Sequence, residues 1–425
     1  MIYTTTNLKK VLANFGNGIW GEEANEHNGY PILRSTNIHN GNLVLDNVAF
    51  RKVSKKSKGK YRLETGDIIV TSSSGSKHLI GKNAYFTVPE DNKVYLFSNF
   101  TYRLKPNKDL IEPKYLYYYL NSKTAKNFLE RIQSTTSGLR NLNTKLYIEQ
   151  EIPLPTPSEQ KRIVEILDQG DALRKKRAQA DKIAERIIPA LFYKIFGDPV
   201  ANPMDWDKMT LEQAEGQVRY GLGQPPRLVE IGVPMIRATN IDHGNISDKD
   251  IIYVDSKDVP KSRNAFLKAN EVIVVRSGAY TGDVAQVTKK WENSVVGYDL
   301  VVTPGKRFCG EYIESYLLSG FIQNYYFKNI KMRAGQPHLN AQQLLNTPFL
   351  VPPVNLQETF ADVINKLRDK KIKRKISRDS LETLFIVLQT KAFSGELTAK
   401  WREAHMKELL QEMEIQARYL NEAKI

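Results

Sequence analysis

Two long stretches of the chain carry apolar residues at steps of three and four, the spacing of one face of an α-helix. The first runs from Ser158 to Phe196 and the second from Glu358 to Phe393. In the first stretch the apolar positions are Ile163, Ile166, Leu167, Leu173, Ala180, Ile183, Ile187, Leu191 and Ile195. In the second they are Phe360, Val363, Ile364, Leu367, Leu381, Leu384, Phe385 and Leu388. The first helix would be roughly 58 Å long, a length typical of coiled coils, so we predict that the two apolar stripes pack on each other.

The two helical stretches are copies of one another, and both follow a proline-rich segment. The matched pairs, each 197 residues apart, are Pro155 with Pro352, Gln160 with Gln357, and Phe196 with Phe393. Proline suits the start of a helix because it fixes φ and has no backbone N–H to leave unpaired. Pro189 lies inside the first stretch, so we expect that helix to kink or to end early.

The segments before the helices contain short β-branched runs separated by Gly, Asn and Ser, which indicate strands and turns. Tyr30–Ile38 in the first segment is matched by Val233–Ile241 in the second, and Leu63–Val70 by Leu267–Val274. The predicted fold class is α+β, with two similar mixed α/β globules separated by the two long helices. The predicted boundaries are 1–153 and 198–352 for the globules, 154–197 and 353–395 for the helices, and 396–425 for a C-terminal helical tail.

The charge of the chain favours a polyanionic partner. The 425 residues carry a formal net charge of +15, which is most often a sign of nucleic-acid binding. The single cysteine, Cys309, excludes an internal disulfide and a cysteine zinc cluster. We find no signal peptide and no apolar run long enough to cross a bilayer, so we expect a cytoplasmic protein with no membrane partner.

Several short motifs make the chain resemble a known family over essentially its whole length. They are the run Pro-Leu-Pro-Thr-Pro-Ser-Glu-Gln at 153–160, the Leu-Asn pairs at 142–143 and 339–340, and the run Ala-Phe-Ser-Gly-Glu-Leu at 392–397. Together with the duplicated plan of globule and helix, they resemble the specificity (S) subunit of Type I restriction–modification systems.

This resemblance implies a fold, a function and a set of partners. The globules would be target recognition domains, each reading one half of a split, asymmetric site in double-stranded DNA. The helices would form an antiparallel coiled coil that docks two methyltransferase (M) subunits, and restriction (R) subunits can join such complexes. The chain itself would have no catalytic activity and no cofactor, because S-adenosylmethionine, Mg and ATP belong to the partner subunits.

Candidate DNA contacts lie either at matched positions of the two globules or in loops that differ between them. They are Arg34, Asn37, Ser73, Ser74, Ser76, Lys77, His78, Arg140, Arg237, Asn240, Arg276, Ser277, Tyr280, Thr281, Gln336 and His338. For the matched arginines a framework role is at least as consistent with the sequence, and for the matched asparagines a turn-stabilising hydrogen bond is favoured. The differing loops are what two readers of unlike sequence need, although surface loops also vary without functional cause.

The apolar stripes supply the candidate residues for partner docking. These are Ile163, Leu167, Leu173, Ile187, Phe360, Leu367 and Leu384. The middle of each helix is strongly basic, at Arg174–Arg177 and Arg368–Lys375. A solvated face is the favoured interpretation of these basic runs, ahead of contact with phosphate or with an acidic partner.

The sequence also lacks the motifs of a self-contained enzyme. Val351-Pro-Pro-Val354 has neither the Asn or Asp nor the aromatic residue of an adenine methyltransferase motif, and no P-loop is present. The six histidines show no metal-ligand spacing. Two alternatives stay open at this point: a self-sufficient DNA methyltransferase or nuclease with an unrecognised motif, and a coiled-coil scaffold that ignores DNA.

Overall fold

The computed structural model describes residues 3–39, 41–74, 79–136, 139–260, 262, 264–328 and 337–422. The chain divides into two compact units. Unit 1 comprises Met1–Ala178 and Ser377–Ile425, and unit 2 comprises Gln179–Ile376. Each unit therefore combines one globule with parts of both long helices. The domain boundaries predicted from sequence stay a prediction.

Both units contain many short strands together with several helices. The strands of unit 1 are β1 (Thr5–Asn7), β2 (Leu12–Asn17), β3 (Glu22–Glu23), β4 (Tyr30–Leu33), β5 (Ile38–His39), β6 (Asn42–Leu43), β7 (Ala49–Lys52), β8 (Ile68–Thr71), β9 (Ser73–Ser74), β10 (Asn83–Tyr85), β11 (Leu96–Phe97), β12 (Thr101–Pro106), β13 (Gln133–Thr136), β14 (Leu139–Leu142) and β15 (Glu151–Pro153). Those of unit 2 are β16 (Asp207–Thr210), β17 (Gln217–Tyr220), β18 (Leu228–Val229), β19 (Val233–Ile236), β20 (Ile241–Asp242), β21 (Asn245–Ile246), β22 (Ile252–Val254), β23 (Val272–Val274), β24 (Val284–Gln286), β25 (Val295–Val296), β26 (Leu300–Thr303) and β27 (Pro348–Val351). The α-helices are α1 (Lys55–Tyr61), α2 (Pro113–Leu120), α3 (Lys123–Arg131), α4 (Thr144–Glu149), α5 (Pro157–Glu185), α6 (Ile187–Phe196), α7 (Gly310–Leu317), α8 (Ala341–Leu345), α9 (Val354–Ser394), α10 (Ala399–Ala404) and α11 (Met406–Glu422).

The two units repeat the same pair of four-stranded sheets. Unit 1 has an antiparallel sheet in the order β10-β8-β12-β2 and a mixed sheet in the order β11-β4-β7-β3. Unit 2 has the corresponding sheets β24-β23-β26-β17 and β25-β19-β22-β18. In both mixed sheets one pair is parallel, β11 with β4 and β25 with β19. The predicted fold class, two similar α/β globules, is confirmed.

Strand β8 shows why an apolar run without alternation forms the centre of each globule. Ile68 and Val70 face one core cluster, and Ile69 between them faces another. All three are fully buried, because both faces of the sheet are covered. Strand β23 of unit 2 divides its residues between two clusters in the same way.

The two long helices are present and pack on each other within each unit. In unit 1, Gly170 of α5 lies against Phe385 and Leu388 of α9. One turn further along α5, the Arg174 guanidinium makes two hydrogen bonds, of 2.9 and 2.6 Å, to the Glu382 carboxylate. The partner number falls as the α5 number rises, so the pair is antiparallel.

The first long helix breaks where the sequence predicted. Helix α5 ends at Glu185 and α6 begins at Ile187, with Arg186 between them. Pro189 causes the break, since its ring would collide with the carbonyl of Glu185 in a continuous helix. In unit 2, Phe192 and Phe196 of α6 pack against Phe360 of α9.

A fully buried glutamine ties the start of α5 to the globular part of unit 1. The Oε1 atom of Gln160 accepts a hydrogen bond from the backbone N–H of Glu112 at 2.7 Å. Its Nε2 atom donates to the carbonyls of Leu110 at 3.0 Å and Pro155 at 2.8 Å. The side chain thus pairs three backbone groups that would otherwise be buried without partners.

Gln357 makes the same three hydrogen bonds at the start of α9 in unit 2. Its Oε1 atom accepts from the N–H of Cys309 at 3.1 Å. Its Nε2 atom donates to the carbonyls of Arg307 at 2.9 Å and Pro352 at 2.8 Å. The matched glutamines of the sequence are therefore structural clamps that orient each globule on its own helix.

The C-terminal tail is helical and forms part of unit 1. Arg402 of α10 forms an ion pair with Glu159 at 2.8 Å, and both side chains are largely buried. Glu412 of α11 accepts a hydrogen bond from the backbone N–H of Ser158 at 2.9 Å, which satisfies a free donor in the first turn of α5. Among the described residues, no helix is both long enough and apolar enough to cross a membrane.

Candidate nucleic-acid interface

The two central strands lead into loops at equivalent places, and the side chains there differ. After β8 the backbone carbonyl of Ser72 accepts a hydrogen bond from the N–H of Leu142 at 2.8 Å. After β23 the carbonyl of Arg276 accepts one from the N–H of Leu339 at 2.7 Å. Ser72 and Arg276 therefore occupy the same position of the common framework. One unit has a buried serine there, and the other has a partly exposed arginine.

The Arg276 side chain is held between two tyrosine rings at the surface of unit 2. Its guanidinium carbon lies 4.8 Å from the ring centroid of Tyr220 and 4.2 Å from that of Tyr298. An Nη2 atom lies 2.7 Å from Nε2 of His338. Because arginine only donates, Nε2 of His338 accepts and the imidazole proton sits on Nδ1. The rings and the imidazole restrict the guanidinium while the site stays open to solvent.

Asp299 supports the backbone of this arginine from inside the globule. Its Oδ1 atom accepts a hydrogen bond from the N–H of Arg276 at 3.2 Å. Burial raises the pKa of Asp299 to about 6, and the Arg276 N–H and positive charge oppose that rise. The Arg276 backbone is therefore bound to a buried carboxyl group whose pKa is raised by burial.

The other loop candidates of unit 2 divide into structural and exposed residues. Thr281 is buried, and its hydroxyl donates to the carbonyl of Gly278 at 2.7 Å, which closes the turn. Ser277 forms an isolated bridge with His338, so this loop and the loop before α8 meet beside Arg276. Tyr280 is 53% exposed and free to contact a ligand.

In unit 1 the two candidate loops form a small sheet. Strand β14 pairs with β9, which places Arg140 opposite Ser74 and Asn141 opposite Ser73. The Ser73 hydroxyl donates to the Asn141 side chain at 2.7 Å. Only the backbones of Ser74 and Arg140 are described. Ser76, Lys77, His78 and Gln336 lie outside the described residues, so their assignment stays a prediction.

The matched asparagine of unit 1 holds a turn together. The Oδ1 atom of Asn37 accepts from the N–H of Arg34 at 2.9 Å. Its Nδ2 atom donates to the carbonyls of Val44 at 3.0 Å and Asn47 at 3.2 Å. The Arg34 side chain also donates to Asn47, at 3.2 Å. These contacts favour the framework interpretation over base reading.

Unit 2 repeats this turn with the same geometry. Asn240 is 1% exposed, and it accepts from the N–H of Arg237 at 3.1 Å. Its amide donates to the carbonyls of Ser247 at 3.3 Å and Lys249 at 2.9 Å. Arg237 donates to the carbonyl of Asp250 at 2.6 Å. Both asparagine side chains are engaged in these hydrogen bonds. A phosphate contact by Arg34 or Arg237 stays a prediction.

The candidates for partner docking separate into buried and exposed positions. Ile163, Leu167 and Phe360 are fully buried in the cores of their own units, so they hold each unit together. The positions left at the surface are Leu173, Ile187 and Leu384, at 55%, 44% and 51% exposed, with Leu367 partly covered. The docking prediction therefore depends on these exposed residues.

Sequence reasoning did not find Tyr220 and Tyr298. Tyr220 ends β17, and Tyr298 stands just before β26, far from Arg276 in the chain. One sequence signal could have indicated Tyr298. Both globules have an exposed aromatic residue just before the corresponding strand, Phe100 before β12 and Tyr298 before β26. Only the pairing of β17, β26 and β23 brings the rings around Arg276.

Both halves of the chain match one protein family. The family is described as Type I restriction modification DNA specificity domain, and it matches residues 12–182 and 228–378. The chain is 24% identical over 400 residues to the EcoKI specificity subunit of Escherichia coli K12, covering 88% of this chain and 83% of that protein. It is 24% identical over 409 residues to the StySPI specificity subunit of Salmonella potsdam, with the same coverage of 88% and 83%.

Two solved structures share the fold. One comes from work on complex assembly and conformational transition of the type I R-M system, with a TM-score of 0.55 and 16% identity over 93% of this chain and 98% of that chain. The other is the type I restriction–modification S subunit from M. genitalium, with a TM-score of 0.53 and 16% identity over 92% of this chain and 96% of that chain.

Proposed function

Since the chain belongs to the family of Type I restriction modification DNA specificity domains, we propose that it selects the DNA sequence on which a Type I restriction–modification complex acts. Each globule reads one half of a bipartite, asymmetric site. The observation that carries this proposal is the equivalence of Ser72 and Arg276. The shared framework places a buried serine in one unit and a partly exposed arginine at the same position in the other, and a difference of this kind suits two readers of unlike half-sites.

Arg276 has the chemistry to read a base in unit 2. A guanidinium can donate two parallel hydrogen bonds to O6 and N7 of guanine in the major groove, a contact that contributes about 1–3 kcal/mol of discrimination. The stacking of Arg276 between Tyr220 and Tyr298 reduces the conformational entropy lost on binding. Tyr280 and His338 are both exposed, so their side chains can contact neighbouring groups of the duplex.

The chemistry of modification belongs to partners. The exposed apolar positions Leu173, Ile187 and Leu384 of the paired helices dock two methyltransferase subunits in the cytoplasm, and restriction subunits complete the cleaving complex. S-adenosylmethionine is held by the methyltransferase subunits, which flip the target base out of the duplex. Among the described residues, no group of three histidine, cysteine, aspartate or glutamate side chains could hold a metal ion.

The test is to map the methylated motif produced by this chain together with its methyltransferase partner. Methylome sequencing should return a split motif with two unlike halves. The Arg276→Ala variant should relax one half of the motif and leave the other half unchanged. Arg227→Ala is the matched control, because Arg227 is a largely exposed arginine of the same unit that lies outside the site.

Two results would reject the proposal. The first is DNA methylation or cleavage by the purified chain alone, which would indicate a self-sufficient enzyme. The second is an Arg276→Ala variant that produces the unchanged motif, or one relaxed in both halves. A chain that pairs with the methyltransferase but leaves the methylated motif unaffected would be a scaffold.

A further inference from the structure

Unit 1 carries a basic surface that sequence reasoning did not single out. The surface is formed by residues 52–62, which include the short helix α1 between β7 and β8. This segment has six basic residues and no acidic one: Lys52, Lys55, Lys56, Lys58, Lys60 and Arg62. We call this set the α1 basic patch. All of its members except Lys58 are exposed.

In the equivalent segment of unit 2, the described residues form no basic helix, and residues 261 and 263 lie outside the described residues. Strand β22 corresponds to β7, and it is followed by a 3-10 turn at Ser256–Asp258 in place of a helix. The acidic residues Asp255 and Asp258 stand there, and both interact with Arg227, at 2.6 and 3.6 Å. The duplicated framework therefore does not require a basic helix at this place.

The spacing of the α1 lysines destabilises their own helix. Lys55 and Lys58 are three residues apart, and Lys56 and Lys60 are four apart, so like charges lie next to each other on the helix surface. Gly59 lies inside the helix and has low helix propensity. Within the described part of the chain, no carboxylate forms an ion pair with these four lysines. A bound polyanion would relieve this repulsion, and a local conflict of this kind is typical of functional sites.

The α1 basic patch lies near the candidate reading loop of unit 1. The ring of Tyr61, the last residue of α1, packs edge-on against that of Phe97, with centroids 5.9 Å apart. Phe97 is three residues before Phe100, so their Cα atoms are at most about 11 Å apart. The carbonyl of Phe100 accepts a hydrogen bond from the N–H of Ser72 at 3.0 Å. A duplex read by the loop after Ser72 therefore passes within reach of long lysine side chains on α1.

We propose that the α1 basic patch binds the phosphate backbone of duplex DNA beside the half-site read by unit 1. This inference rests on the DNA-reading function proposed above and adds an asymmetry to it. Unit 1 anchors the duplex through sequence-independent phosphate contacts, whereas the described residues of the equivalent segment of unit 2 form no such basic helix. The patch supplies affinity and salt dependence but no base discrimination.

The experiment compares three variants of the full-length chain in complex with its methyltransferase partner. The first carries Lys55→Gln, Lys56→Gln, Lys58→Gln and Lys60→Gln, and the second carries arginine at the same four positions. The matched control removes four exposed lysines of α9 with Lys370→Gln, Lys371→Gln, Lys373→Gln and Lys375→Gln. Affinity for a random-sequence duplex is measured by fluorescence anisotropy between about 50 and 200 mM KCl, the range in which phosphate contacts dominate the salt dependence.

The glutamine variant of α1 should bind more weakly, with a slope of log affinity against log salt that is shallower by about 2–4, or roughly 0.9 per lost phosphate contact. The arginine variant should keep the wild-type slope, and the methylated motif should be unchanged in both. The inference is overturned if the glutamine variant loses no more slope than the α9 control, or if arginine fails to restore it. A wild-type complex that shows no salt-dependent DNA binding would instead reject the DNA-reading function itself.

Discussion

Two fully buried glutamines each connect the start of a long helix to the globular part of its own unit. Gln160 and Gln357 make the same three hydrogen bonds to backbone groups. Their surroundings differ in one respect. The Nε2 atom of Gln416 in the tail also donates to the carbonyls of Leu110 at 3.4 Å and Pro155 at 3.1 Å. The first clamp therefore has a second donor, and among the described residues the second clamp has none.

This difference predicts unequal effects of the same substitution. Gln357→Leu should destabilise unit 2 by about 2–3 kcal/mol, because it leaves a buried N–H and two carbonyls without partners. Gln160→Leu should cost unit 1 less, since Gln416 still pairs with both carbonyls. Hydrogen exchange resolved to each unit measures the two effects separately. Equal losses would show that the tail does not support the first clamp.

The buried carboxyl behind Arg276 predicts a pH dependence of stability. Burial raises the pKa of Asp299 from 3.8 to about 6, so between these values the folded state holds a proton that the unfolded state releases. Stability should therefore fall as pH rises from about 4 to about 6, by roughly 2–3 kcal/mol in total. Unfolding midpoints of the wild type and of Asp299→Asn across this range test it. The variant should lack this decrease, and an identical profile in both proteins would contradict the assignment.

At the scale of elements, the long helices have a buried face and an exposed face that can be tested separately. Leu167→Asp places a charge in the core of unit 1, where the side chain is fully buried, so it should unfold that unit. Leu173→Asp changes a residue of the same helix that is 55% exposed, so the fold should survive. If the exposed face docks the methyltransferase, Leu173→Asp should reduce co-purification while circular dichroism stays unchanged. Full co-purification of a folded Leu173→Asp variant would place the docking surface elsewhere.

The structure changes the expected effect of removing the C-terminal tail. From sequence alone, truncation before Ala392 should spare DNA reading and weaken assembly alone. In the structure Ala392 is fully buried, and the Phe393 ring packs on Tyr115 and Tyr119, with centroids 5.5 and 5.3 Å apart. The truncation would also remove Arg402 and leave the buried Glu159 carboxylate without its cation. It should therefore destabilise unit 1, including the loops proposed to read DNA, and a thermal unfolding midpoint equal to that of the full chain would contradict this.

At the scale of the whole molecule, two unlike readers on one chain predict independent recognition of two half-sites. Replacing residues 71–78 with another loop should alter the half of the motif assigned to unit 1 and leave the other half unchanged. The physical reason is that the strands leading into the two loops, β8 and β23, belong to the cores of different units. Methylome sequencing of the exchanged variant beside Arg276→Ala measures this. Changes by both variants in the same half would contradict a split reader.

The sequence by itself determined the duplication, the order of globules and helices, the break before Pro189 and the family. These features follow from local periodicity, local backbone restrictions and short motifs, which do not require knowledge of long-range contacts. The tertiary structure alone decided which distant residues meet. It placed Tyr220, Tyr298 and His338 around Arg276. Sheet pairing and core packing select these contacts, and a linear pattern does not contain that information.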